Sequence, residues 1–159
     1  GQNLSKWGVE MSAIKKVEIP DLPVINDLLD KCFEEANVAG RLTKDEALGW
    51  VHNLIESGKG FLYTDTIDNP TMLVCVGEGE TIFPREKPFV VFLVYVLPES
   101  RNAMTFRRMA RLIEGLATAG GYTTVYASEW MYGETPGIGA LWESIGFTIQ
   151  EKVYVKILE

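Results

Sequence analysis

The sequence is short of the residues that most often carry chemistry alone. Its 159 residues include one histidine, His52, and two cysteines, Cys32 and Cys75. A lone histidine without ligand-type neighbours makes no metal pattern, so no metal site is expected and His52 is read as a solvent-facing helix residue. The cysteines stand in apolar stretches and form no Cys-x-x-Cys pair, which predicts two buried free thiols. No Ser/His/Asp or Cys/His arrangement of the kind that builds a covalent catalyst is present. Positive charge is also scarce: 15 Lys and Arg stand against 22 Asp and Glu, a formal net charge of -7. A chain that acidic lacks the long-range field a nucleic-acid backbone requires, so no nucleic-acid partner is expected. The densest basic cluster, Arg101, Arg107, Arg108 and Arg111, reads as a solvated helix face. Long apolar runs are missing as well. The longest, Phe89 to Leu97, has the length of a strand and not of a membrane span. The N-terminus shows no basic stretch followed by an apolar one. The expectation is a cytoplasmic protein with no membrane partner.

What remains is ordinary for a globular domain: 47% of residues are apolar and 23% charged. A chain of this length forms one domain with a self-sufficient core. Residues 1–11 are mostly polar and read as an N-terminal arm or tag remnant, leaving 12–159 as the domain.

Ile14 to Ile19 predicts a first strand, and Asp21-Leu22-Pro23 a helix start. Ile25, Leu28, Leu29, Cys32, Phe33 and Ala36 then recur at helical spacing. Thr43-Lys44-Asp45-Glu46 is a capping box ahead of the stripe Ala47, Leu48, Val51, Leu54 and Ile55, which closes near Gly58. Gly60 to Thr66 and Met72 to Gly77 predict a hairpin turning at Asp68-Asn69-Pro70. Phe89 to Leu97 alternates with nothing polar, so it belongs at the centre of a sheet, buried on both faces. A third helix carries Phe106, Met109, Ala110, Ile113, Leu116 and Ala117 and stops at Gly120-Gly121. Tyr122 to Ser128 is a further strand. Thr135-Pro136 opens a fourth helix with Ile138, Leu141, Trp142 and Ile145 inward and Gly146 at its end. Thr148 to Leu158 supplies a last strand or strand pair. The order β-α-α-β-β-β-α-β-α-β implies an α/β (α+β) fold with a mixed central sheet of about six to seven strands flanked by four helices.

The segment with most chemical meaning is Val94-Tyr95-Val96-Leu97-Pro98-Glu99-Ser100-Arg101. A buried strand ends there, a short loop follows, and a helix begins. The first N–H groups of a helix lack internal partners and carry partial positive charge, which suits a pyrophosphate. A nearby arginine adds charge-assisted contacts.

This segment resembles the acetyl-coenzyme A motif of the GNAT superfamily of N-acetyltransferases, a central strand ending in Val-x-Pro-Glu-x-Arg before a helix. Ala140-Leu141-Trp142-Glu143-Ser144-Ile145-Gly146-Phe147 is similar to the family's Ala-x-Leu-Tyr-x-x-x-Gly-Phe run. The two stand in the family's order, and the resemblance spans about residues 12–158. It implies the GNAT fold, acetyl-CoA as cosubstrate, and direct attack by an amine of a small-molecule or protein acceptor. Backbone groups of Val96 and Leu97 would grip the pantetheine arm. Arg101 and the N–H groups of Asn102, Ala103, Met104, Thr105 and Phe106 would hold the pyrophosphate. Two family glycine positions hold Met104 and Phe106 here, and the tyrosine that protonates the leaving thiolate is replaced by Trp142, whose indole donates a hydrogen bond but is no practical acid. Trp142 is a candidate contact to the cofactor and, equally, a core residue. Glu129 is the candidate base and Tyr132 the candidate proton donor, with Trp130 and Met131 beside them as a pocket wall. Tyr95 and Tyr126 read as core residues of flanking strands. These substitutions also suit an alternative, a catalytically inactive GNAT-fold binding protein. Homodimers are common among GNAT relatives, which extends that open expectation to this chain.

Overall fold

The computed structural model describes residues 14–36, 42–128, 139–154, 156 and 158. Among the described residues five strands form one sheet in the order β1-β2-β3-β4-β5. They are β1 (Lys15–Val17), β2 (Gly60–Thr64), β3 (Met72–Glu78), β4 (Pro88–Val96) and β5 (Thr124–Ala127). The first four pair antiparallel, and β5 lies parallel to β4, as the crossover through a helix requires. Among the described residues four α-helices accompany them: α1 (Leu22–Ala36), α2 (Lys44–Glu56), α3 (Ala103–Ala119) and α4 (Gly139–Ser144). None of the described helices is long and apolar enough to cross a membrane.

Local sequence signals explain most of the boundaries. Thr43 Oγ1 accepts the Glu46 N–H at 3.2 Å, starting α2, and Gly58 follows its end at φ 73°. That left-handed conformation favours glycine. Asn102 caps α3, its Oδ1 accepting the Thr105 N–H at 2.9 Å. The β2–β3 turn is clamped by a residue that sequence reasoning passed over. Asp65 accepts from the N–H groups of Thr71 and Met72 at 2.9 and 3.1 Å and from both Thr71 and Thr64 hydroxyls. Burial opposes its ionisation, but these hydrogen bonds prevail and hold its carboxyl below the usual range.

The sheet separates two cores. On one face α1 and α2 bury Ile25, Leu28, Leu29, Cys32 and Val51 against Val17, Leu62, Leu73, Cys75 and Tyr95. On the other, Phe106, Met109, Ile113 and Ala117 of α3 and Trp142 of α4 pack on Met72, Val74, Val76, Phe89 and Val91. Both cysteines are buried and free, as the sequence predicts, and burial pushes each thiol up to about 12.

Two expectations need correction. The sheet has five described strands and not six to seven, because residues 148–154 form no ladder with a neighbour. Ile149, Val153 and Tyr154 there stay 68%, 85% and 86% exposed. Tyr126 is no core residue either. It is half-buried, and its hydroxyl meets the Glu86 carboxylate at 2.9 Å, tying the β3–β4 loop to β5.

Candidate functional site

The site grows out of a break in β4. Cys75 of β3 pairs with Leu93 while its neighbour Val76 pairs with Val91, so Phe92 is an extra residue in the ladder. A bulge of this kind bends its strand and inverts the facing of every later side chain. Phe89 and Val91 accordingly face α3, whereas Leu93, Tyr95 and Leu97 face α1. The pairing with β5 ends at the same point, at Val91 opposite Ala127. From Phe92 to Val96, β4 keeps β3 on one side and has no strand on the other among the described residues.

Backbone direction along this open half is set by one hydrogen bond. The Leu97 N–H donates to Thr71 O at 2.9 Å, toward β3. Strand alternation then turns the backbone groups of Val94 and Val96 to the open side. After a short 3-10 turn at Pro98–Ser100, Asn102 leads into α3. Asn102 takes up two donors of the first turn, the Thr105 N–H with its side chain and the Phe106 N–H, at 3.1 Å, with its carbonyl. The N–H groups of Asn102, Ala103 and Met104 have no partner among the described residues. They carry the positive end of the helix dipole.

The bulky residues at the family's glycine positions do not obstruct this corner. Met104 is 73% exposed, with its side chain in solvent. Phe106 is buried and lies against Trp142, ring centroids 5.2 Å apart. Trp142 also packs on Phe147 at 5.1 Å. Its indole Nε1 is buried and is without a hydrogen-bond partner among the described residues, which costs about 1–3 kcal/mol for such a donor. Open strand edge, unfilled helix N-terminus and displaced bulk together fit an elongated ligand with an anionic group.

Arg101 stands apart from the helix it precedes. Its Nε donates to Val96 O at 2.8 Å and its Nη2 to Glu35 Oε2 at 2.6 Å, and its guanidinium lies 5.6 Å from the Tyr95 ring centroid. The Arg101 hydrogen bond holds the Glu35 carboxyl below its usual range against the effect of burial. The Tyr95 phenol is pushed up to about 12 by burial and by Glu35. Arg101 thus ties the end of α1 to the end of β4, a contact no local pattern announces.

No protein-family model matches the chain, and neither does any curated protein. Solved structures do match. A GCN5-related N-acetyltransferase from Ralstonia eutropha JMP134 superposes with a TM-score of 0.70 at 17% identity, over 91% of this chain and 97% of that one. A predicted acetyltransferase with acetyl-CoA from Clostridium acetobutylicum gives 0.71 at 10% identity, over 90% and 94%. An aminoglycoside antibiotic 6'-N-acetyltransferase from Acinetobacter haemolyticus gives 0.69 at 17%, over 92% and 97%. The chain has the GNAT fold.

Within the GNAT fold, the structure brings Val96, Leu97, Asn102, Ala103 and Met104 to one corner. Thr105 and Phe106 are next to it, but their N–H groups are already bonded. Trp142 reaches the same first turn of α3 through Phe106. Glu129, Trp130, Met131 and Tyr132 lie outside the described residues. Sequence reasoning missed Glu35, which stands in α1 and is joined to the GNAT corner only by tertiary contact.

Proposed function

We propose that the protein is an acetyl-CoA-dependent N-acetyltransferase. The observation that carries this reading is the conjunction of an unpaired half of β4 with an unfilled N-terminus of α3. Val94 and Val96 would offer their backbone edge to the pantetheine arm, as an added strand would, with Leu97 flanking it. The N–H groups of Asn102, Ala103 and Met104 would hold the pyrophosphate. Thr105 and Phe106 would shape the turn beneath it, and Trp142 would line the adjoining wall. Acetyl-CoA supplies an acyl group already activated as a thioester. The chain's own part is to hold the amine and the acyl carbon in register, a contribution of about 7–11 kcal/mol in well-oriented systems. Glu129 would take the proton from the amine, and Tyr132 would return one to the leaving sulfur. The setting is cytoplasmic, with coenzyme A and an amine-bearing acceptor as partners.

Ala103→Pro tests the reading cleanly. Ala103 is the first residue of α3, where proline is favoured, and Asn102 before it is already extended at φ -158° and ψ 170°. The substitution removes one donor while sparing the helix. Calorimetric titration should show saturable acetyl-CoA binding to the unaltered protein. The variant should bind at least about tenfold more weakly at an unchanged melting temperature, the loss of one hydrogen bond to a charged group. Absence of binding at millimolar acetyl-CoA would sink the transferase reading and leave the fold untouched.

A further inference from the structure

Nearly every buried polar group in a folded protein has a hydrogen-bond partner, and an exception calls for a cause. Among the described residues, one side-chain nitrogen or oxygen is buried with no such partner: Nε1 of Trp142. The residue is 5% exposed and belongs to the core between α3 and the sheet. Its ring packs on Phe106 and Phe147, whose side chains hold neither nitrogen nor oxygen to accept an N–H. A phenyl ring would serve that packing without leaving a donor empty. Packing therefore accounts for an aromatic ring at this position and not for an indole.

The donor's surroundings narrow what could fill it. Phe106 belongs to the first turn of α3, the turn whose leading N–H groups are unfilled. Val94 and Val96, whose backbone groups turn to the open edge of β4, pack their side chains against the same core. Trp142 thus shares its core with both halves of the corner, the helix N-terminus and the strand edge. Chemistry narrows the choice further. An indole N–H donates and accepts nothing, so its complement is an acceptor oxygen. An ammonium group, which only donates, does not fit. Phosphate oxygens suit the charged end of α3, at Asn102, Ala103 and Met104. On an elongated thioester ligand, the acceptors left for Nε1 are the uncharged carbonyl oxygens of its arm.

We propose that Trp142 is a positioning residue of the cofactor site, its Nε1–H donating to a carbonyl oxygen in the arm of acetyl-CoA. The inference rests on the transferase reading. Because Nε1 is closed to solvent in the unliganded chain, a small movement of the indole or of the rings around it accompanies binding. The bond fixes the arm and transfers no proton, since an indole is no practical acid. The test uses the whole protein and two readouts. Trp142→Phe keeps a ring and removes the donor. By calorimetric titration it should bind acetyl-CoA about threefold to tenfold more weakly than the parent, the loss of one hydrogen bond. A tryptophan that only filled the core would change the melting temperature and leave that affinity alone. The second readout needs no altered binding site. The chain has four tryptophans, so its nitrogen–proton correlation spectrum carries four indole signals. The Trp142 signal is the one lost in Trp142→Phe. Should that variant not fold, it is the one that survives Trp7→Phe, Trp50→Phe and Trp130→Phe in turn. Saturating acetyl-CoA should move it downfield and slow its exchange with solvent. Equal affinity of parent and Trp142→Phe, or a Trp142 signal that acetyl-CoA leaves in place, overturns the proposal. If the parent binds acetyl-CoA and Ala103→Pro weakens it while Trp142→Phe does not, the positioning role falls and the transferase reading stands. If the parent does not bind acetyl-CoA, both fall.

Discussion

The two halves of β4 are alike in sequence and opposite in circumstance. Pro88 to Val91 lies between two strands, β3 and β5, and three of its four residues are buried. Among the described residues, Phe92 to Val96 has β3 alone, and only Tyr95 of that stretch is buried. The first half contributes stability through packing. The second gives up a ladder of hydrogen bonds and presents its backbone at the mouth of α3. One strand is therefore core at one end and, in the proposed function, a binding edge at the other, and the bulge at Phe92 is where the circumstances change. Exposed strand edges are normally blunted. Here the edge carries an arginine on one carbonyl, at Val96, and meets no other strand among the described residues.

The contrast can be broken most forcefully in the paired half. Phe89 is 3% exposed and lies 4.8 Å from the Tyr122 ring centroid. Phe89→Ala should cost about 3–5 kcal/mol in urea unfolding, and Val96→Ala in the open half less than half of that. Equal losses would show that the two halves do not differ. The Ala103→Pro substitution sharpens the other side of the comparison. It should weaken acetyl-CoA by about 1.5–3 kcal/mol while leaving unfolding unchanged. Asn102→Ala should do nearly the reverse, destabilising α3 by about 1 kcal/mol through loss of the cap to Thr105, as measured by thermal unfolding.

The smallest effect concerns the brace between α1 and the open half. Glu35 titrates lower in the folded chain than in the unfolded one, so its contribution is complete above the unfolded value, about 4.3. It disappears as pH falls through the folded value. The Arg101 partner is well exposed, so the contribution stays below about 1 kcal/mol. Glu35→Gln should therefore be slightly less stable than the parent near neutrality, and the two should converge on acidification. A gap that widens toward low pH would contradict the ion pair.

Much of this was legible beforehand where the signal was local. The capping box at Thr43 to Glu46, the stop at Gly58 and the strand–turn–helix passage from Val94 to α3 depend on residues within a few positions of one another. Thr43 Oγ1 accepts the Glu46 N–H as that spacing requires, the half of the capping box that forms among the described residues. Long-range features were not legible. Every residue from Phe89 to Leu97 is apolar, so no pattern could reveal that facing inverts at Phe92. Arg101 read as a phosphate ligand because its nearest meaningful neighbour in sequence is a helix N-terminus. Its partner Glu35 lies 66 positions away. Thr148 to Leu158 alternates like a strand, yet alternation supplies a face and not a partner.

By itself, then, the sequence determined where α1 to α3 and the five described strands form, and that α3 would begin with unfilled donors beside the end of β4. These follow from side-chain periodicity and from backbone groups that lack a local partner. Tertiary structure alone decided that half of β4 would go unpaired on one side among the described residues, that Arg101 would brace Glu35, and that the Trp142 indole would lie buried against Phe106 and Phe147. Those outcomes depend on which distant surfaces meet, and the free energy of that meeting is written in no single stretch of chain.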